Sequence, residues 1–150
     1  MPSTSAEEVS ASTRKWLDRI SDAIDVTDGI RLIVDGTVAV PPGLVAADGV
    51  ELRVGLQIVS SDAGEGSVRG GAPELVVEVS QGDSYPGLRS AAWRGLQVPE
   101  RWILLPDEAT ILVELRDSHG SSTERRESGL LTSQGRGWRC HLVVPEVFSP

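Results

Sequence analysis

The residue of this sequence best placed to do chemistry is Glu78, which lies inside the apolar run Val76–Val79. The neighbouring valines indicate a buried strand, and burying a carboxylate without a partner is costly. We therefore expect Glu78 to have a charged partner, a bound metal ion or a raised pKa. Two interpretations stay open at this point. Glu78 is either a functional carboxylate, or an ordinary one that pairs with an arginine or lies on a solvated face of the sheet.

Other residue types that often do chemistry occur here without a supporting pattern. His119 and His141 are not spaced as metal ligands are. Cys140 is alone, so no internal disulfide can form, and we expect it to be a small buried hydrophobic residue. The glycine-rich stretch 64–71 lacks the known phosphate-binding fingerprints, and the sequence has no nucleophile-elbow motif. These features give no second candidate site.

The strand that carries Glu78 belongs to a predicted series of helices and strands. In residues 51–59 the apolar side chains alternate, which predicts that four of them share one face of a strand: Leu52, Val54, Leu56 and Ile58. The continuous apolar run 101–105 is typical of a strand covered on both faces. The predicted elements are helices 5–24 and 86–96 and strands 31–40, 51–59, 74–80, 101–105 and 109–116.

The C-terminal part of the chain is less regular. The polar, glycine-rich segment 117–137 predicts a hairpin or an irregular excursion, and 138–144 predicts a last strand. The closing residues 145–148 are expected to pack against the body. A mixed sheet with helices packed on it satisfies the whole order, so the predicted fold class is α/β.

The composition is that of one ordinary globular domain, which we assign to residues 1–150. Hydrophobic residues make up 39% and charged residues 24% of the chain. No apolar run approaches the roughly 20 residues of a membrane helix. The N-terminus has no secretory pattern, so a cytoplasmic protein without membrane contact is expected. The net charge of −8 argues against a protein that coats nucleic acid, but a nuclease with a local basic patch remains compatible with it.

Residues 72–106 read APELVVEVSQGDSYPGLRSAAWRGLQVPERWILLP, and this stretch resembles the core block of the Uma2 family. That block has the pattern P-D-L-V-V-E-V-L-S-P-S, then a helix with a lysine and an aromatic residue, then G-V-P-E-Y-W and a short apolar strand. The positions that match in one register are Pro73, Leu75, Val76, Val77, Glu78, Val79, Ser80, Gly87, Trp93, Val98, Pro99, Glu100 and Trp102. The flanking segments match more loosely.

The resemblance implies a restriction-endonuclease-like fold, a mixed β-sheet flanked by helices, of the PD-(D/E)XK nuclease superfamily. It also implies Mg²⁺-dependent hydrolysis of a nucleic-acid phosphodiester, with DNA as the expected partner. In such chemistry two carboxylates hold the hard cation and a positive side chain stabilises the developing charge. Glu78 matches the family's metal-binding glutamate, and Arg89 matches its helical lysine. Arg94, on the same helix, is either a phosphate contact or a surface charge.

Two positions depart from the family pattern. Gly55 stands where the family has its other metal-binding carboxylate, an aspartate, and Arg89 keeps the charge of the lysine without its shape. Glu74 cannot replace the aspartate, because four strand residues separate it from Glu78, about 13 Å at ~3.3 Å per residue. The ligand count that a Mg²⁺ site requires is therefore incomplete on the predicted strands.

Three hypotheses follow from this mixture of matches and departures. The chain is a degenerate domain that has lost catalysis and serves as a binding or assembly module. Alternatively, it is a working metal-dependent endonuclease in which a loop carboxylate, Asp62 or Asp83, replaces the aspartate. In the third hypothesis the resemblance is superficial, and strands 51–59 and 74–80 are not sheet neighbours. If the chain self-associates, a homodimer is the expected assembly.

Overall fold

A computed structural model describes residues 6–27, 29–44, 47–60, 73–80, 86–117, 120–135 and 137–149 of the chain. The helices are α1 (Ala6–Asp22), α2 (Pro86–Gly95) and α3 (Val144–Phe148), and a short 3-10 helix spans Pro106–Glu108. The strands are β1 (Ile24–Val26), β2 (Ile30–Val40), β3 (Val50–Ser60), β4 (Leu75–Val79), β5 (Glu100–Leu105), β6 (Thr110–Asp117), β7 (Gly120–Arg126), β8 (Leu130–Gly135) and β9 (Trp138–Val143). No helix in these ranges has the length and apolar character needed to cross a lipid bilayer.

Six strands form a central mixed sheet in the order β2-β3-β4-β5-β6-β7. Within it β4 and β5 run parallel, because α2 connects them and returns the chain to the same end of the sheet. The other neighbours are antiparallel. All five strands predicted for this sheet are present and adjacent, so the predicted α/β architecture is confirmed. β7 adds a sixth strand from the segment for which a hairpin or an irregular excursion was expected.

A second sheet of three strands, in the order β1-β9-β8, was not predicted. The predicted helix 5–24 ends at Asp22, and Ile24–Val26 pair with β9 instead. Over so few residues a buried isoleucine satisfies a helical and a strand pattern equally well, which explains the error. The predicted last strand is β9, and α3 then packs the end of the chain through Val144 and Val147.

The central sheet has a hydrophobic core on each face. The first core lies between the sheet, α1, α3 and the three-stranded sheet, and its fully buried members include Ile20, Leu56, Trp102, Leu104 and Ile111. The second core lies under α2 and joins Ala92 and Trp93 to residues of β2, β3 and β4. Burial of each large apolar side chain contributes roughly 1.5–3 kcal/mol. The two cores therefore hold α1 and α2 on opposite faces of the sheet.

Strand β3 contributes to both cores. Leu56 and Ile58 pack in the first core, whereas Leu52 and Val54 pack in the second. The prediction that these four side chains share one face is therefore wrong. It assumed that the alternation of a regular strand continues without interruption through residues 51–59.

The change of side occurs where Asp35 of β2 lies across from Gly55 of β3. These two residues do not pair, although the residues on either side of them pair in continuous register. Asp35 has a φ of 59°, a left-handed backbone conformation that interrupts strand alternation. A Cβ atom at position 55 would lie 2.8 Å from Leu17 Cδ2 of α1 and 3.2 Å from the carbonyl oxygen of Val77. Glycine at this position thus permits the close approach of α1 to the sheet.

We expect Gly55→Ala to lower the free energy of unfolding by about 1–3 kcal/mol, because the added methyl group overpacks the contact with Leu17. Leu17→Ala alone should cost about 2–5 kcal/mol by leaving a cavity. In the double variant the two changes fit together, so its loss should be smaller than the sum of the single losses. Urea unfolding of the four proteins measures this, and strictly additive losses would contradict the packing.

Candidate functional site around Glu78

Glu78 lies on β4 with 7% of its surface exposed. Val76, two residues earlier on the same face, packs in the second core, while Leu75 and Val77 pack in the first. The Glu78 side chain therefore points to the side of the sheet that bears α2, because side chains alternate between the two faces along a strand.

Two side chains from different elements bind the Glu78 carboxylate. Trp93 of α2 donates its indole N–H to Glu78 Oε1 at 2.5 Å, and Arg101 of β5 donates its Nε–H to the same oxygen at 2.9 Å. The Arg101 and Glu78 side chains are only 6% and 8% exposed. Glu78 is therefore half of a buried ion pair, which is the pairing with an arginine that the sequence left open.

Arg101 reaches Glu78 because of the parallel register of β4 and β5. Val76 lies opposite Arg101 in that register, which puts Arg101 and Glu78 on the same face of the sheet. On its other side Arg101 lies opposite Glu114 of β6, with 4.0 Å between Arg101 Nη1 and Glu114 Oε2. The Arg101 guanidinium thus lies between two carboxylates, one on each of the two strands that flank β5.

Neither Arg101 nor Glu114 was identified from the sequence. The available signal was the arginine at the start of the run 101–105, because a strand covered on both faces buries a charged residue only with an opposite charge. Arg101 also stands where the family pattern G-V-P-E-Y-W has tyrosine. This cation is therefore a departure from the resemblance in addition to those at Gly55 and Arg89.

The described residues around Glu78 do not fit a divalent metal ion. One carboxylate oxygen already accepts two N–H groups, and a metal ion there would be repelled by the Arg101 guanidinium. Gly55 is the next β3 position beyond the Leu56–Val77 pair, yet a side chain there would point at Leu17 on the other face. In the part of the chain that the structure describes, no three His, Cys, Asp or Glu side chains form a group able to hold a metal.

The chain also has no lysine near Glu78. Its one lysine is Lys15, which is exposed on α1. Since α1 packs against the first core and Glu78 faces α2, the two charges lie on opposite sides of the sheet. Of the lysines and arginines of the chain, only an arginine can therefore lie beside Glu78.

The remaining candidates lie on or beyond α2. Arg89 is a residue of α2, but its side chain falls outside the described residues, as do Asp62, Asp83 and His119. Arg94 is exposed on the same helix, which is compatible with a surface charge and with a phosphate contact. Among the described side chains, Arg101 is the charged group that the structure brings to Glu78.

A second buried carboxylate, Glu100, lies on the opposite face of the sheet. Its Oε2 accepts hydrogen bonds from Trp102 Nε1 at 2.6 Å and from Ser133 Oγ at 2.7 Å. Glu100 therefore joins β5 of the central sheet to β8 of the small sheet. Burial raises the pKa of the Glu100 carboxyl, and the hydrogen bonds from Ser133 and Trp102 partly offset the rise. Glu100 and Trp102 both match the family pattern, so this part of the match has a structural explanation.

Cys140 and His141 give no further catalytic group. Cys140 is fully buried, as predicted, and burial, together with the charges of Glu100 and Asp25, raises the pKa of its thiol to about 12. Such a thiol stays protonated at neutral pH and is a poor nucleophile. His141 is exposed on β9, opposite Thr132.

No protein-family profile and no curated protein matches this chain. Among solved structures it is similar to a DUF820 protein from Anabaena variabilis, assigned as a nuclease, with a TM-score of 0.59 at 14% sequence identity. The likeness covers 99% of this chain and 82% of the other. The chain has a nuclease-type fold. DUF820 is a Uma2-like family with the restriction-endonuclease fold, so the fold that the resemblance implied is confirmed. The adjacency of β3 and β4 also contradicts the hypothesis of an unrelated fold.

We expect Glu78→Gln to lower the free energy of unfolding by about 3–5 kcal/mol, because it leaves the buried Arg101 guanidinium without its closest counter-charge. Glu114→Gln is the matched control, since Glu114 is 30% exposed and lies 4.0 Å from the same guanidinium. That variant should lose only about 0–1 kcal/mol. Urea unfolding of the two variants measures the loss in free energy of unfolding for each. Equal losses would contradict a larger contribution from the buried Glu78–Arg101 pair.

Glu100→Gln should remove a pH dependence of stability. Because the pKa of Glu100 is raised in the folded state, the folded chain binds more protons than the unfolded one, and stability falls as pH rises from the ordinary carboxyl pKa to the raised one. Glutamine keeps an acceptor for Trp102 and Ser133 without the charge. Relative to wild type, the variant should therefore gain stability as the pH rises from the ordinary carboxyl pKa of 4.5 towards neutral. Thermal unfolding across this range measures the difference, and parallel curves for the two proteins would contradict it.

Proposed function

We propose that this chain is a degenerate nuclease-fold domain, which does not hydrolyse phosphodiesters and serves as a binding or assembly module. The observation that carries the proposal is the 2.9 Å contact between Arg101 Nε and Glu78 Oε1. The carboxylate that the resemblance assigns to metal binding is bound to a cation from the neighbouring strand. Separating the pair to admit a metal ion would leave a buried guanidinium without its closest counter-charge, at a cost of about 3–5 kcal/mol.

The environment of Gly55 supports the same proposal. A Mg²⁺ site of this superfamily needs carboxylates from neighbouring strands, and Gly55 supplies none. Restoring an aspartate would direct it at Leu17 of α1, on the face of the sheet opposite to Glu78. The close approach of α1 and a second metal ligand at position 55 are therefore incompatible with each other.

The second candidate is a Mg²⁺-dependent endonuclease, and the observation that favours it is the likeness to a protein assigned as a nuclease. In this case Glu78 is the metal ligand and Arg89 the group that stabilises charge on the phosphate of a DNA substrate. Another carboxylate must then come from residues outside those that the structure describes, such as Asp62 or Asp83. Arg101 would also have to leave Glu78 when the metal binds.

As a binding or assembly module, the domain has two proposed partners. The net charge of −8 weakens attraction to DNA phosphates at any surface without a local excess of arginine. The net charge has less effect on binding a second copy of this chain as a homodimer, because most dimer interfaces are dominated by neutral contacts. The proposal also includes a single domain over residues 1–150 and a cytoplasmic location.

The purified chain should leave supercoiled plasmid and single-stranded DNA uncut in Mg²⁺ or Mn²⁺, to the same extent as in EDTA. Glu78→Gln is the matched preparation, because a contaminating nuclease would cut equally in both samples. Metal-dependent cutting that is present in wild type and lost in Glu78→Gln would overturn the proposal and establish the endonuclease.

The variant that combines Gly55→Asp with Arg89→Lys restores the family's residue types and should also leave DNA uncut. Its new carboxylate is directed at Leu17, and Arg101 still pairs with Glu78. Circular dichroism first establishes that the variant is folded. Cleavage by this folded variant would contradict the side-chain direction assigned to position 55.

A further inference from the structure

Three charged side chains form a row across adjacent strands on the α2 side of the central sheet. Glu78 of β4 and Glu114 of β6 flank Arg101 of β5, at 2.9 Å from its Nε and 4.0 Å from its Nη1. The side chains of Glu78 and Arg101 are 8% and 6% exposed, and that of Glu114 is 30% exposed. The row therefore runs from the buried centre of the sheet towards solvent.

We infer that the Arg101 guanidinium takes the place of a divalent cation between Glu78 and Glu114, and that removing it creates a metal site. Wild-type protein is then indifferent to divalent metal ions at this position. The inference deepens the proposed function. It rests on that proposal only in treating the chain as a domain that has lost catalysis. Its own readout is metal binding, not DNA cleavage.

The electrostatic argument starts from what the two carboxylates require. Two carboxylates that face the same point of a partly buried surface repel each other, so a cation is needed between them. A guanidinium meets the need permanently, because its covalent bond to β5 prevents it from dissociating. A metal ion would meet the same need reversibly, at a concentration set by its Kd.

The geometric argument follows from truncating Arg101. Arg101→Ala removes the guanidinium and leaves the space that it occupied, with one carboxylate on each side. Mn²⁺ and Mg²⁺ prefer oxygen ligands and complete their coordination with water. Glu114 is 30% exposed, so a hydrated ion can enter the vacated space from its side and bind the two carboxylates directly or through its water ligands.

The first experiment compares melting temperatures in EDTA and in about 10 mM Mn²⁺, well above a Kd of about 10⁻⁴–10⁻³ M for a weak carboxylate site. Wild type should melt alike in both. Arg101→Ala should melt lower than wild type in EDTA and should recover about 3–10 °C in Mn²⁺. Adding Glu78→Gln to Arg101→Ala should abolish the recovery, because it removes one of the two ligands.

Arg125→Ala is the matched control for this experiment. Arg125 also stands between two carboxylates, with Glu108 at 2.6 Å and Glu127 at 2.5 Å, but it is 44% exposed. Its carboxylates are solvated without it, so the variant should show no shift in Mn²⁺. A shift equal to that of Arg101→Ala would mean that any exposed carboxylate pair gives the effect, which would overturn the inference.

The second measurement uses the wild-type protein and does not depend on a variant being stable. The Trp93 indole N–H donates to Glu78 Oε1, so its NMR signal, assigned by its loss in Trp93→Phe, reports on the site. Paramagnetic Mn²⁺ at the same concentration should leave this signal sharp. Selective broadening of the Trp93 signal would overturn the inference, because it would place the metal beside Glu78 with Arg101 present.

The two proposals fail in distinguishable ways. Metal-dependent DNA cleavage by wild type with a sharp Trp93 signal would overturn the proposed function and leave the inference intact. An Arg101→Ala protein that melts alike, or is equally unfolded, in EDTA and in Mn²⁺ would overturn the inference and leave the proposed function intact.

Discussion

The pairing of the buried Glu78 carboxylate with the Arg101 guanidinium is the interaction on which the α2 side of the molecule depends. A carboxylate in the middle of an apolar strand must be compensated where it lies, because water cannot reach it. β5 supplies the charge, and α2 supplies a further N–H group through Trp93. The same contact therefore joins three elements and fixes the position of α2 over the second core. Through Trp93 the pair is connected to α2, the helix that also carries Arg89 and Arg94.

The other face of the sheet repeats the arrangement without a cation. Glu100 is also buried and also accepts an indole N–H, here from Trp102, and Ser133 completes its hydrogen bonds. Each face of the central sheet thus holds one carboxylate bound to one tryptophan. All four of these residues match the Uma2 pattern. The sharpest part of the resemblance therefore corresponds to contacts that hold the second core and the small sheet in place, and these contacts persist whether or not the domain hydrolyses anything.

These contacts stabilise the fold independently of any chemistry that the domain performs. The residues that join the helices and the small sheet to the central sheet are buried and mutually dependent, so losing one costs several kcal/mol. A residue that serves only catalysis carries no such penalty, and a glycine at position 55 even allows α1 to pack closer. A nuclease-type fold can therefore remain when its ligand set is incomplete, because fold and function depend on different sets of residues.

Local patterning in the sequence determined most of the helices and strands. It also indicated that Glu78 is a buried carboxylate that needs a partner. Alternation and apolar runs placed the five strands and α2, because side-chain periodicity is set by neighbours along the chain. Burial of Glu78 was predicted in the same way, together with the need for a partner. The identity of that partner was decided by tertiary structure alone, because Arg101 meets Glu78 through the register of two strands that are joined across a helix. The side change at Gly55 and the pairing of β1 with β9 were also beyond the sequence, since the first depends on how β3 pairs with β2 at Asp35 and the second on a strand more than a hundred residues away.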